Sequence, residues 1–155
     1  MGLFINDQVG LAFASQVAGL ATTGARVFQD ESHPLSEADL PALRVYIKDD
    51  QVSDGMDTQS TDTASPFLQR RDLMLTCEAL AKSNSGLIAT LNQIRKEVEL
   101  AIAANPRLGG LAKLPCRIKG MPVGVGYNTE IATGQGTMTW LITAFTMSNA
   151  PDVAL

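Results

Sequence analysis

The stretch from Asn84 to Leu108 constrains the fold more than any other part of the chain. Leu87, Leu91, Ile94, Val98, Ala101 and Ile102 recur at steps of four and three, which places them on one face of a helix of 3.6-residue period. Asn92, Gln93, Arg95, Lys96, Glu97 and Glu99 fall on the other side. Ser83 and Asn84 offer short polar side chains to the open N–H groups of the first turn. Asn105-Pro106 stops the helix, because a proline disfavours helical geometry in the residue before it, and Gly109-Gly110 lets the chain reverse. A helix of roughly 20 residues is about 30 Å long, the width of a small domain. Its apolar stripe needs a second layer, and the flanking segments read as strands, so the class is a small α+β domain.

With 155 residues the chain reads as one domain, 1–155, able to bury about two-thirds of its unfolded surface. Hydrophobic content of 45% and charged content of 18% are those of a folded globule. A net charge of −4 and a pI near 4.9 argue against a protein that grips nucleic-acid phosphates. No apolar run is long enough to span a bilayer, and Met1 to Ile5 runs into Asn6-Asp7 without the pattern of a signal peptide. Cys77 and Cys116 each fall in an expected strand, which suggests two buried, reduced thiols and synthesis in a reducing cytoplasm.

Taken in order, residues 5–22 predict a first helix with the stripe Ile5, Val9, Ala12, Phe13, Val17 and Leu20, capped by Asn6 or Asp7 and closed by Gly24. Arg26-Val27-Phe28 predicts a short strand, and Pro34 and Pro41 bracket a constrained connection. Leu43, Val45 and Ile47 alternate with Arg44, Tyr46 and Lys48 in a half-buried strand. Residues 49–66 are polar and acidic and predict a flexible loop. From Phe67 to Leu80 the alternation returns, with Leu73, Leu75, Cys77 and Ala79 against Asp72, Met74, Thr76 and Glu78, so the two strands and the loop make a long hairpin with a mobile acidic tip. Leu114 to Tyr127, broken by two prolines and three glycines, predicts an irregular edge strand. Gly134-Gln135-Gly136 reads as a turn, Thr137 to Met147 as the last strand and 148–155 as a frayed tail.

A search for catalytic chemistry finds little. His33 is the only histidine, which excludes a multi-histidine metal site and leaves a serine–histidine arrangement without support. Asp50, Asp54 and Gly55 fit part of a calcium loop, but Val52 and Thr61 fail at ligand positions. Gly124-Val125-Gly126 begins like a dinucleotide fingerprint, yet Thr129 stands where the third glycine belongs. The expectation is therefore no enzyme and no cofactor; the alternative is a small ligand-binding or enzymatic module using the Gly-rich segment 120–136. Charge placement says more. Nine of the sixteen acidic residues lie between Asp30 and Asp62, among them Asp49, Asp50, Asp54, Asp57 and Asp62. Six of the twelve basic residues, Arg95, Lys96, Arg107, Lys113, Arg117 and Lys119, lie between the central helix and the edge strand. Such segregation suits either two solvated faces or a head-to-tail contact between copies.

The order of motifs resembles the tail terminator (minor tail, or tail completion) proteins of long-tailed bacteriophages. The resemblance rests on "TTGARVF" after the first helix, "PLSEADLPALRVYI", a long polar loop, "RRDLMLTCEALAK", "AANPRLGGLAK" at the helix exit, "NTEIATG" and a Thr-rich last strand, spanning Val9 to Met147. It implies a mixed, mainly antiparallel sheet with two helices packed on one face. It further implies a virion protein, made in the host bacterial cytoplasm, that forms a six-membered ring ending the tail tube and joining it to the neck. The partners implied are itself, the tail tube protein and the neck or connector protein. DNA passes the lumen without specific binding, no membrane is involved, and no catalytic residue is carried. Asp49 to Asp62 would be a contact element. Neck and head-completion ring proteins share much of this layout and stand as the alternative within the class.

Overall fold

A computed structural model describes residues 2–29, 32, 35–54, 66–83, 85–128 and 131–155. Two α-helices, α1 (Ile5–Gln16) and α2 (Leu87–Ala104), accompany six strands: β1 (Val27–Phe28), β2 (Ala42–Asp54), β3 (Leu68–Ser83), β4 (Arg117–Gly120), β5 (Val123–Asn128) and β6 (Ile131–Met147). They form one mixed sheet in the order β1-β2-β3-β6-β4, with β5 also paired to β6; only β1 runs parallel to its neighbour. The fold is α+β, as the periodicities and the family resemblance imply.

Strand register shows why the helices share one face. Leu43 pairs with Ala79 and Val45 with Cys77, while Cys77 also faces Met138 and Leu75 faces Trp140. All point to one side, since side chains alternate along a strand. The helix stripes close on that side: Ile5, Val9 and Phe13 of α1 and Leu91, Ile94 and Val98 of α2 are fully buried in the same cluster. The Phe13 and Trp140 rings meet edge to face at 5.5 Å.

The central helix holds the whole stripe but is shorter than the expected stretch Asn84–Leu108. It begins at Leu87, and Gly86, with φ 72°, holds the cap position without a side-chain hydrogen bond. Ser83 instead ends β3 and turns its hydroxyl to Ser85; Asn84 lies outside the described residues. The exit follows the sequence reading. Asn105 leaves helical geometry, its Oδ1 accepts the Gly109 N–H at 3.0 Å, and Leu108, Gly109 and Gly110 all take positive φ. In α1 the cap is Phe4, so Asn6 and Asp7 are helical residues and not caps. The helix ends at Gln16, and a turn in which Gly19 N–H donates to Gly24 O and Gly24 N–H to Leu20 O replaces the expected last turn. A helical 17–22 would have forgone that closed turn.

Three strand expectations need correction. The hairpin arms are longer: Asp49, Asp50 and Asp54 belong to β2 and pair with Met74, Leu73 and Gln69, so strand continues into the segment read as loop. Polar side chains do not prevent this, because the ladder is made by backbone groups. Gly134-Gln135-Gly136 is not a turn but the interior of β6, paired with β3 and β5. Glycine there lets side chains from elsewhere approach the strand. A Cβ on Gly134 would lie 2.8 Å from Leu87 Cδ2, and one on Gly136 would lie 2.8 Å from Met121 Sδ. The Leu114–Tyr127 segment splits into β4 and β5, both at the edge beside β6, and Cys116 falls just before β4 and not in a strand. Residues 148–155, expected to fray, are tied down. Ser148 N–H donates to Phe67 O at 2.8 Å, Leu155 N–H to Phe145 O at 3.0 Å, and Ile5 N–H to Pro151 O at 3.2 Å.

Candidate assembly surface

The acidic residues singled out above do not form one patch. A bulge between Ile47 and Asp49 inserts an extra residue into β2, and this reverses which side the following residues face. Asp49 pairs with Met74 on the open side and is exposed, whereas Asp50 pairs with Leu73 and turns to the helix side. Asp50 Oδ2 there accepts from Asn6 Nδ2 at 2.8 Å and lies 3.4 Å from Arg71 Nη1. Asp50 is thus an internal partner and not a free surface carboxylate. Asp54 ends β2; Asp57 and Asp62, with the whole tip 55–65, lie outside the described residues, as does His33.

Arg71, which the sequence reading passed over, is the centre of that internal cluster. It is 7% exposed, donates from Nε to Thr146 Oγ1 at 3.1 Å, and holds its guanidinium 5.0 Å from the centre of the Phe4 ring. The alternation Leu73, Leu75, Cys77, Ala79 extends back to Arg71, so the strand pattern contained the signal. A second omission is Glu78, read as a wet residue but only 6% exposed. Its carboxylate accepts from Arg44 Nε at 2.8 Å, Tyr46 Oη at 2.8 Å and Gln135 Nε2 at 2.9 Å. Beside it, Asp72 accepts from Thr143 Oγ1 at 2.7 Å and from Arg70 Nε. These carboxylates stitch the uncovered face together. Their donors already occupy them, and among the described residues no cluster of His, Cys, Asp and Glu is suited to hold a metal ion.

The basic residues are better gathered. Cys116 N–H bonds Pro106 O at 2.7 Å, and Lys113 N–H bonds Thr143 O at 2.7 Å, folding the segment after α2 against the sheet edge. Arg117 pairs with Leu141, two residues from Thr143 on β6, and Lys119 follows on β4. Arg107, Lys113, Arg117 and Lys119 are all exposed along this side. Arg95 and Lys96 stand apart on α2, about 12 Å of helix or more before its end at Ala104, and Arg95 Nε is bonded to Glu99 at 2.9 Å.

The opposite edge of the sheet carries a groove of about 550 Å³ between the start of α1 and β2. Leu3, Phe4 and Leu11, which are 55%, 38% and 42% exposed, form its apolar wall; Asp7, Asp49 and Lys48 are its charged lining residues beside Asp50, which is bonded to Asn6 and Arg71. A second groove, of about 540 Å³, runs beside β5 and is lined by Leu40, Leu80, Pro122, Val123 and Val125. The thiols are quiet: burial pushes Cys77 far above the ordinary range, and burial likewise pushes Cys116 up to about 11. No helix among the described residues is long and apolar enough to cross a membrane.

No model of a known protein family matches this sequence. No curated protein matches it either. Among solved structures, a chain of the "Virion of native gene transfer agent (GTA) particle" is similar with a TM-score of 0.38 and 11% identity, over 90% of this chain and 92% of that one. Similarity at this level is a distant one of chain trace.

Proposed function

We propose that this protein is a structural virion component, a ring subunit that closes the tube of a phage-like tail and joins it to the neck. The observation that carries the reading is the agreement between the resembled family's layout and the fold: a mainly antiparallel sheet, two helices on one face and a long acidic hairpin. Charge placement adds to it, since the basic residues gather at β4 while the exposed carboxylates Asp7 and Asp49 lie toward β2 on the other side of the sheet. Opposite patches on opposite sides drive head-to-tail contacts, which close into rings when the rotation allows. The partners proposed are further copies of itself, six in a ring, the tail tube protein and the neck protein, with DNA passing through an acidic lumen that does not retain it.

Particles assembled without the protein test the reading. A terminator's loss leaves tails of uncontrolled length with no heads attached. A neck ring's loss leaves tails of normal length beside unattached heads. Complete particles made without the protein would remove both readings.

A further inference from the structure

We infer that the segment from Arg107 to Lys119 is one half of a protein–protein joint, a rigid cationic platform that takes a carboxylate-bearing surface of a second copy of this chain. This rests on the ring reading and names the residues on one side of its joint. Arg107, Lys113, Arg117 and Lys119 are exposed, and among the described residues none of their side chains forms a hydrogen bond or ion pair. Arg44, Arg70, Arg71 and Arg95, by contrast, each hold a carboxylate. The chain supplies no acid nearby in sequence, since no Asp or Glu lies between Glu99 and Glu130. Asp72, on the strand beyond β6, is already taken by Arg70 and Thr143. The platform is also held still. The bonds from Cys116 N–H to Pro106 O and from Lys113 N–H to Thr143 O tie it to the helix exit and to β6, and Leu108 and Ala112 anchor it in the core. A backbone fixed in this way loses little freedom on binding.

The chemistry selects what the platform takes. Segment 107–119 has no aromatic side chain on which a nucleic-acid base could stack. It does carry an exposed apolar group, since Leu114, 41% exposed, follows Lys113 within it. An apolar contact with charge around it suits a protein surface. A second copy brings the complementary sign. Without these four cations the net charge of −4 becomes −8, so the remainder of the chain is strongly acidic. Two platforms repel each other, which excludes a symmetric joint made through this segment. A platform set against the acidic remainder of the next copy is compatible in charge, and that arrangement is head-to-tail.

The test uses the intact chain over a range of concentrations, alone and on isolated tail tubes, as a mixture of light and isotopically heavy copies. Native mass spectrometry gives the assembly state. Zero-length carbodiimide coupling followed by peptide analysis should join Lys113 or Lys119 of one copy to a carboxylate of another. Arg117→Glu with Lys119→Glu should weaken assembly at least about tenfold. Lys82→Glu with Lys96→Glu alters the net charge equally but leaves the platform intact, and should change assembly far less. Circular dichroism shows whether each variant is folded. A ring that survives the platform reversal and yields no such cross-link overturns the platform and leaves the ring reading standing. Equal weakening by both double reversals also overturns it, because net charge would then be the cause. So does a duplex DNA oligonucleotide that binds the unaltered chain and is lost on platform reversal while assembly is unchanged. A chain that stays monomeric at every concentration, alone and with tail tubes, overturns both readings.

Discussion

On the helix side of the sheet, Leu73, Leu75, Met138 and Ile142 are wholly buried among other apolar groups. On the opposite side, Thr76, Glu78 and Thr143 are nearly as buried, at 6%, 6% and 3% exposure, although among the described residues no helix packs over them. The first face is hidden by a second layer. The second is hidden by its own neighbours, because long side chains on adjacent strands lie across one another. The difference lies in what each face asks of sequence. A covered face needs only apolar side chains of the right volume. A self-shielded face can keep a carboxylate only if donors stand on the strands beside it, and Arg44, Tyr46 and Gln135 do so from β2 and β6. Specificity in the first case is shape, and in the second it is register.

Truncating the covered face should do the most damage. Leu91 is fully buried between α2 and the sheet, so Leu91→Ala should cost about 2–5 kcal/mol, as other buried leucines do. Urea unfolding followed by tryptophan fluorescence measures it, since Trp140 belongs to the same core. A loss below about 0.5 kcal/mol, the range of surface changes, would show that the stripe is not the layer that holds the fold.

On the open face, Glu78→Leu removes an acceptor shared by three donors and should cost about 1–3 kcal/mol. If register is what that face specifies, replacing Arg44 by Leu as well should recover much of the loss, because a buried ion pair is often matched by apolar residues of similar size. A double variant no better than the single one would mean that the network contributes net stability beyond satisfying itself.

A subtler contrast separates two glycines on neighbouring strands. Gly134→Ala drives a Cβ against Leu87 and should cost about 1–3 kcal/mol, most of it relieved in a Leu87→Ala background. Gly124 on β5 has open space at its Cβ position, so Gly124→Ala should change stability by no more than about 1 kcal/mol, and either sign is acceptable. Equal costs at the two sites would move the cause from crowding to backbone conformation.

These positions also show where sequence reading reached and where it stopped. The 3.6-residue stripe from Leu87 to Ile102 and the alternation from Leu73 to Ala79 are local patterns, and both lead directly to buried faces. Gly134 was misread because glycine serves either a turn or a close approach, and the group that approaches, Leu87, is remote in sequence. Asp50 was misplaced for a related reason. A bulge two residues earlier reverses the faces of the strand, and nothing in Lys48-Asp49-Asp50 announces it. The basic edge was legible because one short segment, 107–119, carries it past β6. The acidic side was less so, since it depends on α1 and β2 meeting, with Asp7 and Asp49 drawn from separate parts of the chain.

The smallest expected effect concerns a carboxylate outside both faces. Glu97 joins the polar side of α2 to the turn after α1. Thr22 N–H donates to its Oε1 at 2.8 Å, and the Thr22 hydroxyl and Gln93 amide donate to Oε2. Partial burial pushes its pKa up, but the donors from Thr22, Gln93 and the Ala21 amide outweigh that and hold it below the ordinary value of 4.5. Because the folded pKa is depressed, the unfolded chain binds the proton first as pH falls. The stabilisation is complete above about pH 4.5 and is lost on descending through that value and the lower folded one. Glu97→Gln should therefore lower the urea midpoint slightly at pH 7, and the gap to the unaltered protein should narrow by pH 3. Its exposed setting keeps the effect small, because solvent screens the charge. A gap that stays constant with pH would mean that shape and neutral hydrogen bonding at this joint matter and the charge does not.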